Sequence, residues 1–176
     1  MLAFLAAKQS HAINVMKGIK LMYLADRESM RKYGEPISHD HMVAMNNGPV
    51  LSQTLNLING DVAPAVAAEW DSWITDRENH NISVSREFSR ADLDELSNAD
   101  LEILSAVWSE FGHLNQWQLS EYTHEHCPEW RHPNGSCLPI DQAALLRQLG
   151  WAPSQAESGA QRIKIGHELD SVFARL

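Results

Sequence analysis

The sequence predicts a mainly α-helical protein of the α+β class: a compact single-domain helical bundle around a buried central helix, with a small two-stranded antiparallel β-ribbon. From residue 12 to residue 25, apolar side chains cover almost the whole circumference of a helix, which is typical of a helix at the centre of a core. Alternation of apolar and polar residues, the pattern of a half-buried strand, is clearest at residues 82–88. A length of 176 residues is most simply one domain with its own core.

The central helix is predicted to continue through a charged segment and to end at Gly34 and Pro36, two residues that stop helices. The short apolar run at residues 42–45 predicts a strand, which we expect to pair with residues 82–88. The Gly-Pro pair at positions 48–49 then redirects the chain. Because a two-stranded ribbon is marginal alone, helices are expected to cover it.

Two short helices are predicted between these strands. Apolar residues recur with helical spacing in the first, which ends at Gly60. Pro64 begins the second, in the first turn where proline is tolerated. The expected buried stripe of the second helix comprises Val66, Trp70, Trp73 and Ile74.

Capping side chains organise the second half of the chain. Ser97 and Asp100 have the spacing of a capping box, and Asn115 and Asp141 each begin a further helix. The intervening residues 124–139 are rich in proline and predict a loop.

Residues 1–150 are predicted to form the main domain, and residues 151–176 a C-terminal helical extension that packs on the same domain. Residues 150–162 are the best candidate for a flexible join. The apolar residues of the extension follow helical spacing: Leu169, Val172, Phe173 and Leu176.

The chain carries 14 Lys and Arg residues against 23 Asp and Glu residues, a formal net charge of −9. A general nucleic-acid binder would show a basic face to phosphates, so the charge argues against a nucleic-acid partner. The charge suits a basic protein partner, because opposite fields speed encounter. The alternative interpretation is that the negative charge only keeps the protein in solution.

Export and membrane anchoring are not predicted. The N-terminal apolar run is short and has no basic region before it, and no apolar stretch is long enough to span a bilayer. The two cysteines, Cys127 and Cys137, are too few for a disulfide scaffold. We therefore expect a cytoplasmic protein without membrane contact.

Histidines invite a metal hypothesis, but their spacing does not favour one. Structural zinc sites pair ligands as C-x2-4-C and H-x3-5-H, whereas His124 and His126 are two positions apart. The His39-Asp40-His41 run is better explained as an exposed turn. We expect no metal and no cofactor. The His/Cys cluster considered for this metal site comprises His113, His124, His126, Cys127, His132 and Cys137.

Catalysis is not predicted either. Neither a G-x-S-x-G elbow nor a phosphate loop is present. Asp26, Arg27 and His124 have suitable chemistry for an acid, an anchor and a base, but nothing in the sequence brings them together. Residues 115–124 loosely resemble the second helix of a helix-turn-helix, yet this segment has no Arg or Lys for phosphates. The alternative that stays open is a small metal-dependent hydrolase using the His/Cys cluster.

A family resemblance rests on blocks that occur in a fixed order. The run KLMYLADRESMRKYGEPISHDHMVAMNNGPV at residues 20–50 is followed by LSNADLEIL at 96–104, FGH at 111–113, THEHCPEW at 123–130 and LPI at 138–140. These blocks resemble the Panacea domain, the SocA-like antitoxin domain also found in phage-associated GepA-type proteins. The resemblance covers about residues 11–150. Asn46-Asn47 stands where the family would have Pro-His.

The resemblance implies a bacterial type II antitoxin that neutralises a cognate protein toxin by direct binding, either by covering a toxin surface or as an adaptor that presents the toxin to a protease. The alternative is a phage or prophage interaction protein on the same scaffold, with a host target. Tyr23 and Val50 are expected in the core. The expected contacts are exposed groups in the matched blocks: Asp26, Arg27, Asn47, His124 and Trp130.

Overall fold

The structure, a computed structural model, describes residues 1–75 and 77–173. The α-helices in this part are α1 (Leu2–Lys8), α2 (Val15–Tyr33), α3 (Ser52–Asn59), α4 (Pro64–Asp71), α5 (Asn98–Phe111), α6 (Gln116–His126), α7 (Gln142–Gln148) and α8 (Pro153–Phe173). The strands are β1 (Ala12–Asn14), β2 (Met42–Met45), β3 (Gly48–Leu51), β4 (Asn81–Ser83) and β5 (Leu138–Pro139). The predicted mainly helical class is confirmed.

Helix α2 is the buried centre of the fold, as predicted. The Asn14 side chain caps it by accepting from the backbone N–H groups of Met16 and Lys17, and Gly34 ends it with a φ of 80°. Helices α1, α5 and α6 and strand β3 pack around it. Tyr23 and Val50 are buried, as expected. The helix begins later than the apolar pattern suggested, because residues 12–14 form β1.

The predicted strand pairing is wrong. Strand β2 pairs with β3 and β5, whereas β4 pairs with β1, so the chain forms two small antiparallel sheets instead of one ribbon. The pairing of β2 with β3 is local, because Met45 opposes Gly48 across a two-residue turn. The Gly-Pro pair at positions 48–49 is therefore part of a strand, and β3 lies at a sheet edge where proline is tolerated.

The predicted caps are confirmed. Ser97 with Asp100 and Asn115 with Gln118 form capping boxes, and the Asp141 carboxylate accepts from a backbone N–H of the first turn of α7. Helix α6 extends to His126, so the predicted loop begins later than expected.

Two predicted apolar stripes differ from the structure. Val66 on α4 is exposed, and only Ile74 of that stripe is fully buried. The helix ends at Asp71, so Trp73 and Ile74 lie beyond it and do not continue the helical stripe. On α8, Leu169 and Val172 are exposed, while the Phe173 side chain and Leu176 lie outside the described residues. Helix α8 already begins at residue 153 and buries Ala156 and Ile163, which replaces the expected flexible join with a packed helix. Among the described helices, none combines the length and the apolar character needed to cross a bilayer.

Candidate functional site

Three of the five expected contact residues meet at the turn between β2 and β3. Asn47 lies in the turn, is exposed, and its carbonyl accepts a 2.8 Å hydrogen bond from the Ser120 hydroxyl of α6. Trp130 Nε1 donates to the Met45 carbonyl at 2.9 Å. The His124 ring stacks on Trp130 with 4.0 Å between centroids. We call residues 45–48 with His124 and Trp130 the hairpin corner.

Because Gly48 has no side chain, the hairpin corner packs tightly against helices α2 and α6. Its φ is +101°, in the region that favours glycine. A Cβ at this position would lie 2.6 Å from Lys20 Nζ and 2.7 Å from Thr123 Oγ1. The turn therefore depends on a residue without a side chain at position 48.

Lys20 lies under the hairpin corner and is only 1% exposed. Its ammonium donates to the Pro49 carbonyl at 2.6 Å, and within the described chain no carboxylate lies at ion-pair distance from it. Burial lowers the pKa of Lys20 to about 7, because an ammonium is poorly solvated there. The site thus contains a buried amine that loses its proton far more readily than an exposed lysine does.

Arg27 adjoins the hairpin corner through Glu129. Its Nε lies 2.8 Å from Glu129 Oε1, the oxygen that also accepts from the Tyr23 hydroxyl. Burial, with the Glu129 charge, raises the pKa of Tyr23 well above its usual value. Burial also raises the pKa of the neighbouring Cys127 thiol to about 12, so this thiol stays protonated. The network anchors the segment that carries Trp130 onto α2.

The expected exposure of Asp26 is wrong. Its side chain is fully buried, and its carboxylate accepts from the backbone N–H groups of Ile37 and Ser38, at 2.9 Å each, and from the Ser38 hydroxyl. Burial raises the pKa of Asp26 to about 7, against the lowering effect of these hydrogen bonds. Asp26 ties the loop after α2 back onto the helix and does not face a partner in this structure.

A cleft of about 780 Å³ opens beside the hairpin corner, and we call it the corner cleft. Asn46 and Asn47 border it on one side, and Trp117 borders it on another. Trp117 is 62% exposed, whereas Trp130 is half-buried. The floor contains Lys20 and apolar side chains of α2 and β3: Val15, Met16, Ile19 and Val50.

Trp117 and Lys20 are site residues that the sequence interpretation missed. The buried positions Leu119, Thr123 and Cys127 repeat every four residues. Trp117 lies two residues before Leu119, which places it on a different face of α6 from these buried residues. That spacing was visible in the sequence. Lys20 was visible only as a polar interruption in an apolar helix, and its contact with Pro49 depends on the tertiary fold.

The described His, Cys, Asp and Glu residues form no group of three that could hold a metal. Asp26, Arg27 and His124 do not converge as an acid, an anchor and a base, because each is engaged elsewhere. Cys127 is buried and Cys137 is exposed. The arrangement instead offers an exposed polar corner next to an apolar cleft, a combination typical of protein-binding surfaces.

Fold and site together define a small, mainly helical domain with a candidate protein-binding face. The family model for the antitoxin SocA-like, Panacea domain matches residues 19–131, more than half of the chain, so the protein belongs to this family. No curated protein and no solved structure matches it significantly. The match runs from α2 to just past Trp130 and contains the whole hairpin corner. Family membership supports an antitoxin-like role with a protein partner.

Proposed function

We propose that this protein is a type II antitoxin that neutralises a cognate protein toxin by direct binding through the hairpin corner and the adjoining cleft. The observation that carries the proposal is the family match over residues 19–131. The net charge of −9 favours a protein partner over nucleic acid. We place this activity in the cytoplasm, where a bacterial toxin would act.

The geometry of the hairpin corner supports such a role. Its turn is held by Ser120 on one side and Trp130 on the other, and Gly48 lets it lie against α6. A surface that is already ordered loses less conformational entropy on binding. Asn47 and His124 present exposed polar groups, and Arg27 is partly accessible beside them.

Co-expression with the neighbouring gene tests the proposal. We expect the neighbour alone to stop growth and this chain to restore it. His124→Ala should weaken the rescue, whereas His113→Ala, which removes an exposed histidine outside the corner, should not. A neighbour that is harmless alone, or a toxic one that this chain fails to neutralise, would contradict the antitoxin proposal and favour a phage-encoded interaction protein.

The lifetime of the toxin separates the two routes of neutralisation. If the antitoxin only covers a toxin surface, the toxin should persist at the same level in cells that contain both proteins. If the antitoxin presents the toxin to a protease, the toxin should disappear after synthesis is stopped and persist in strains that lack the protease.

A further inference from the structure

A second groove of this molecule is both apolar and acidic. It has a volume of about 460 Å³ and is lined by residues of α1, α3 and α4 and by the segment that precedes α5. Of the described residues that line it, four carry carboxylates and all the others are apolar. The carboxylates belong to Glu69, Asp92, Asp94 and Glu95, and all four residues are exposed. We call this cavity the acidic groove, and it shares no residue with the hairpin corner.

The negative charge of the acidic groove is largely uncompensated. Within the described part of the chain, the carboxylates of Glu69, Asp94 and Glu95 make no hydrogen bond and no ion pair. Asp92 lies 4.0 Å from a guanidinium nitrogen of Arg86, and no described Lys, Arg or His lines the groove. Arg86 therefore offsets at most one of four negative charges, and the remaining charges attract a cation to this surface.

The apolar part of the acidic groove is open to a partner. Val66 is 52% exposed, and the rings of Trp70 and Trp73 are half-buried. Exposed apolar surface with a polar border is typical of sites that bind proteins or ligands. A second cavity of about 660 Å³ shares Trp70 with the groove and reaches Tyr33, which is 53% exposed. The surface is therefore large enough for a segment of several residues.

Arg86 shows which cation suits this surface. Its guanidinium lies 4.3 Å from the centre of the Trp73 ring and next to the Asp92 carboxylate. An aromatic face combined with a carboxylate favours arginine, because the planar guanidinium stacks and forms ion pairs at the same time. The groove contains a second indole ring, that of Trp70, and no cation of the described chain lies over it.

Other occupants fit the acidic groove less well. A single metal ion needs converging ligands, and the described His, Cys, Asp and Glu residues form no group of three that could hold one. A second copy of this chain would bring its own net charge of −9, and nucleic acid would be repelled for the same reason. A polyamine would satisfy the carboxylates but would leave the apolar side chains without a partner.

We propose that the acidic groove binds a basic segment of a protein partner, with an arginine beside Trp70 and Glu95 and a neighbouring apolar side chain against Val66. Attraction between opposite charges would give the segment its selectivity, and burial of the apolar side chain would add affinity. Because the groove is separate from the hairpin corner, this binding goes beyond the proposed antitoxin function and is measured independently of it.

Selection from a displayed library of random twelve-residue peptides on the full chain tests the proposal. We expect enriched peptides to combine arginine with a large apolar residue. The dissociation constant of a labelled peptide, measured by fluorescence anisotropy, should rise about tenfold or more when citrulline replaces its arginine. Citrulline keeps the shape of the side chain and removes its charge, so the change isolates the electrostatic contribution.

Matched protein variants locate the binding on the groove. The triple variant Glu69→Gln/Asp94→Asn/Glu95→Gln removes three charges of the groove and should raise the dissociation constant about tenfold or more. The control is a second triple variant, which removes three exposed carboxylates outside the groove and should bind as the wild type does. Its substitutions are Glu110→Gln, Glu157→Gln and Asp170→Asn.

A second pair of variants tests the apolar contact. Val66→Ser alters an exposed side chain that lines the groove and should weaken binding several-fold. Leu169→Ser alters a side chain of α8 that is equally exposed and lies outside the groove, so it should leave binding unchanged.

Hydrogen exchange gives an independent location for the bound peptide. A saturating basic peptide should slow amide exchange at residues 66–74 and 92–96, which include both sides of the groove. Exchange at residues 142–148, which form α7, should not change.

Several results would overturn the inference. Absence of enriched basic peptides, or unchanged exchange along the groove, would show that the groove does not bind such a segment. Equal weakening by the two triple variants would reduce the effect to the overall charge of the chain. Displacement of the peptide by an equal concentration of spermidine would assign the groove to small polycations and not to a protein segment.

Discussion

Asp26 shows how a polar residue in the matched blocks can serve the fold. Its carboxylate is fully buried and accepts from two backbone N–H groups and one hydroxyl of the loop after α2. A buried donor left without a partner costs about 1–3 kcal/mol. We expect Asp26→Ala to reduce the free energy of unfolding by about 2–4 kcal/mol in urea denaturation. Asp71→Ala, which removes an exposed carboxylate, should change it by less than about 0.5 kcal/mol.

The same residue predicts a pH dependence. Because burial raises the pKa of Asp26 from 3.8 to about 7, the folded state keeps a proton that the unfolded state releases between these values. The contribution of Asp26 is therefore complete below about pH 4 and is lost as the pH rises to about 7. Wild-type stability relative to Asp26→Asn should fall across this window by more than about 1 kcal/mol. A difference that is flat or rises with pH would mean that the hydrogen bonds keep the carboxylate ionised.

At the scale of elements, the β2–β3 hairpin depends on the missing side chain of Gly48. A Cβ there would clash with Lys20 Nζ and Thr123 Oγ1, whereas at Gly60 no atom lies within 4 Å of the corresponding position. Both glycines have positive φ. Gly60→Ala should therefore cost only the backbone strain, about 1–2 kcal/mol. Gly48→Ala should cost at least about 2 kcal/mol more in chemical denaturation, and equal losses would contradict the tight fit.

Helix α8 offers a second test of packing. Ile163 is buried, whereas Ile165 on the same helix is exposed. Ile163→Ala should reduce the free energy of unfolding by about 2–4 kcal/mol, because it removes buried methyl groups and leaves a cavity. Ile165→Ala should reduce it by less than about 0.5 kcal/mol. Similar losses for the two variants would show that α8 is not seated as the structure describes.

Local signals made much of the fold predictable. The caps at Ser97, Asn115 and Asp141 act within three residues of themselves, so their effect could be inferred from the sequence. Strand pairing was mispredicted because β4 pairs with β1. Most of the first half of the chain separates these two strands, so no local signal indicates their contact. The candidate site was predictable only in part for the same reason. Asn47, His124 and Trp130 were expected as contacts and meet at the hairpin corner, whereas the burial of Asp26 and the position of Lys20 depend on distant contacts.

At the scale of the whole molecule, the net charge of −9 affects how fast a partner of opposite charge is encountered. An overall negative charge would steer a partner with a basic surface towards this protein over long distances. Association with the proposed toxin should therefore slow as ionic strength rises from about 0.05 to about 0.5 M, in stopped-flow measurements, because salt shortens the screening length. An association rate that does not respond to salt would remove the role of the overall charge.

The hydrogen bond from Lys20 to Pro49 also determines how the sheet can meet another chain. Strand β3 is an edge strand, and an open edge can recruit a foreign strand through its free N–H and carbonyl groups. Pro49 has no N–H, and its carbonyl is already occupied by the lysine ammonium. At Pro49 this edge therefore offers a foreign strand no N–H donor and a carbonyl that already accepts one hydrogen bond. Strand addition is disfavoured at this point of the edge, which leaves side-chain contacts as the better means of recognition beside it.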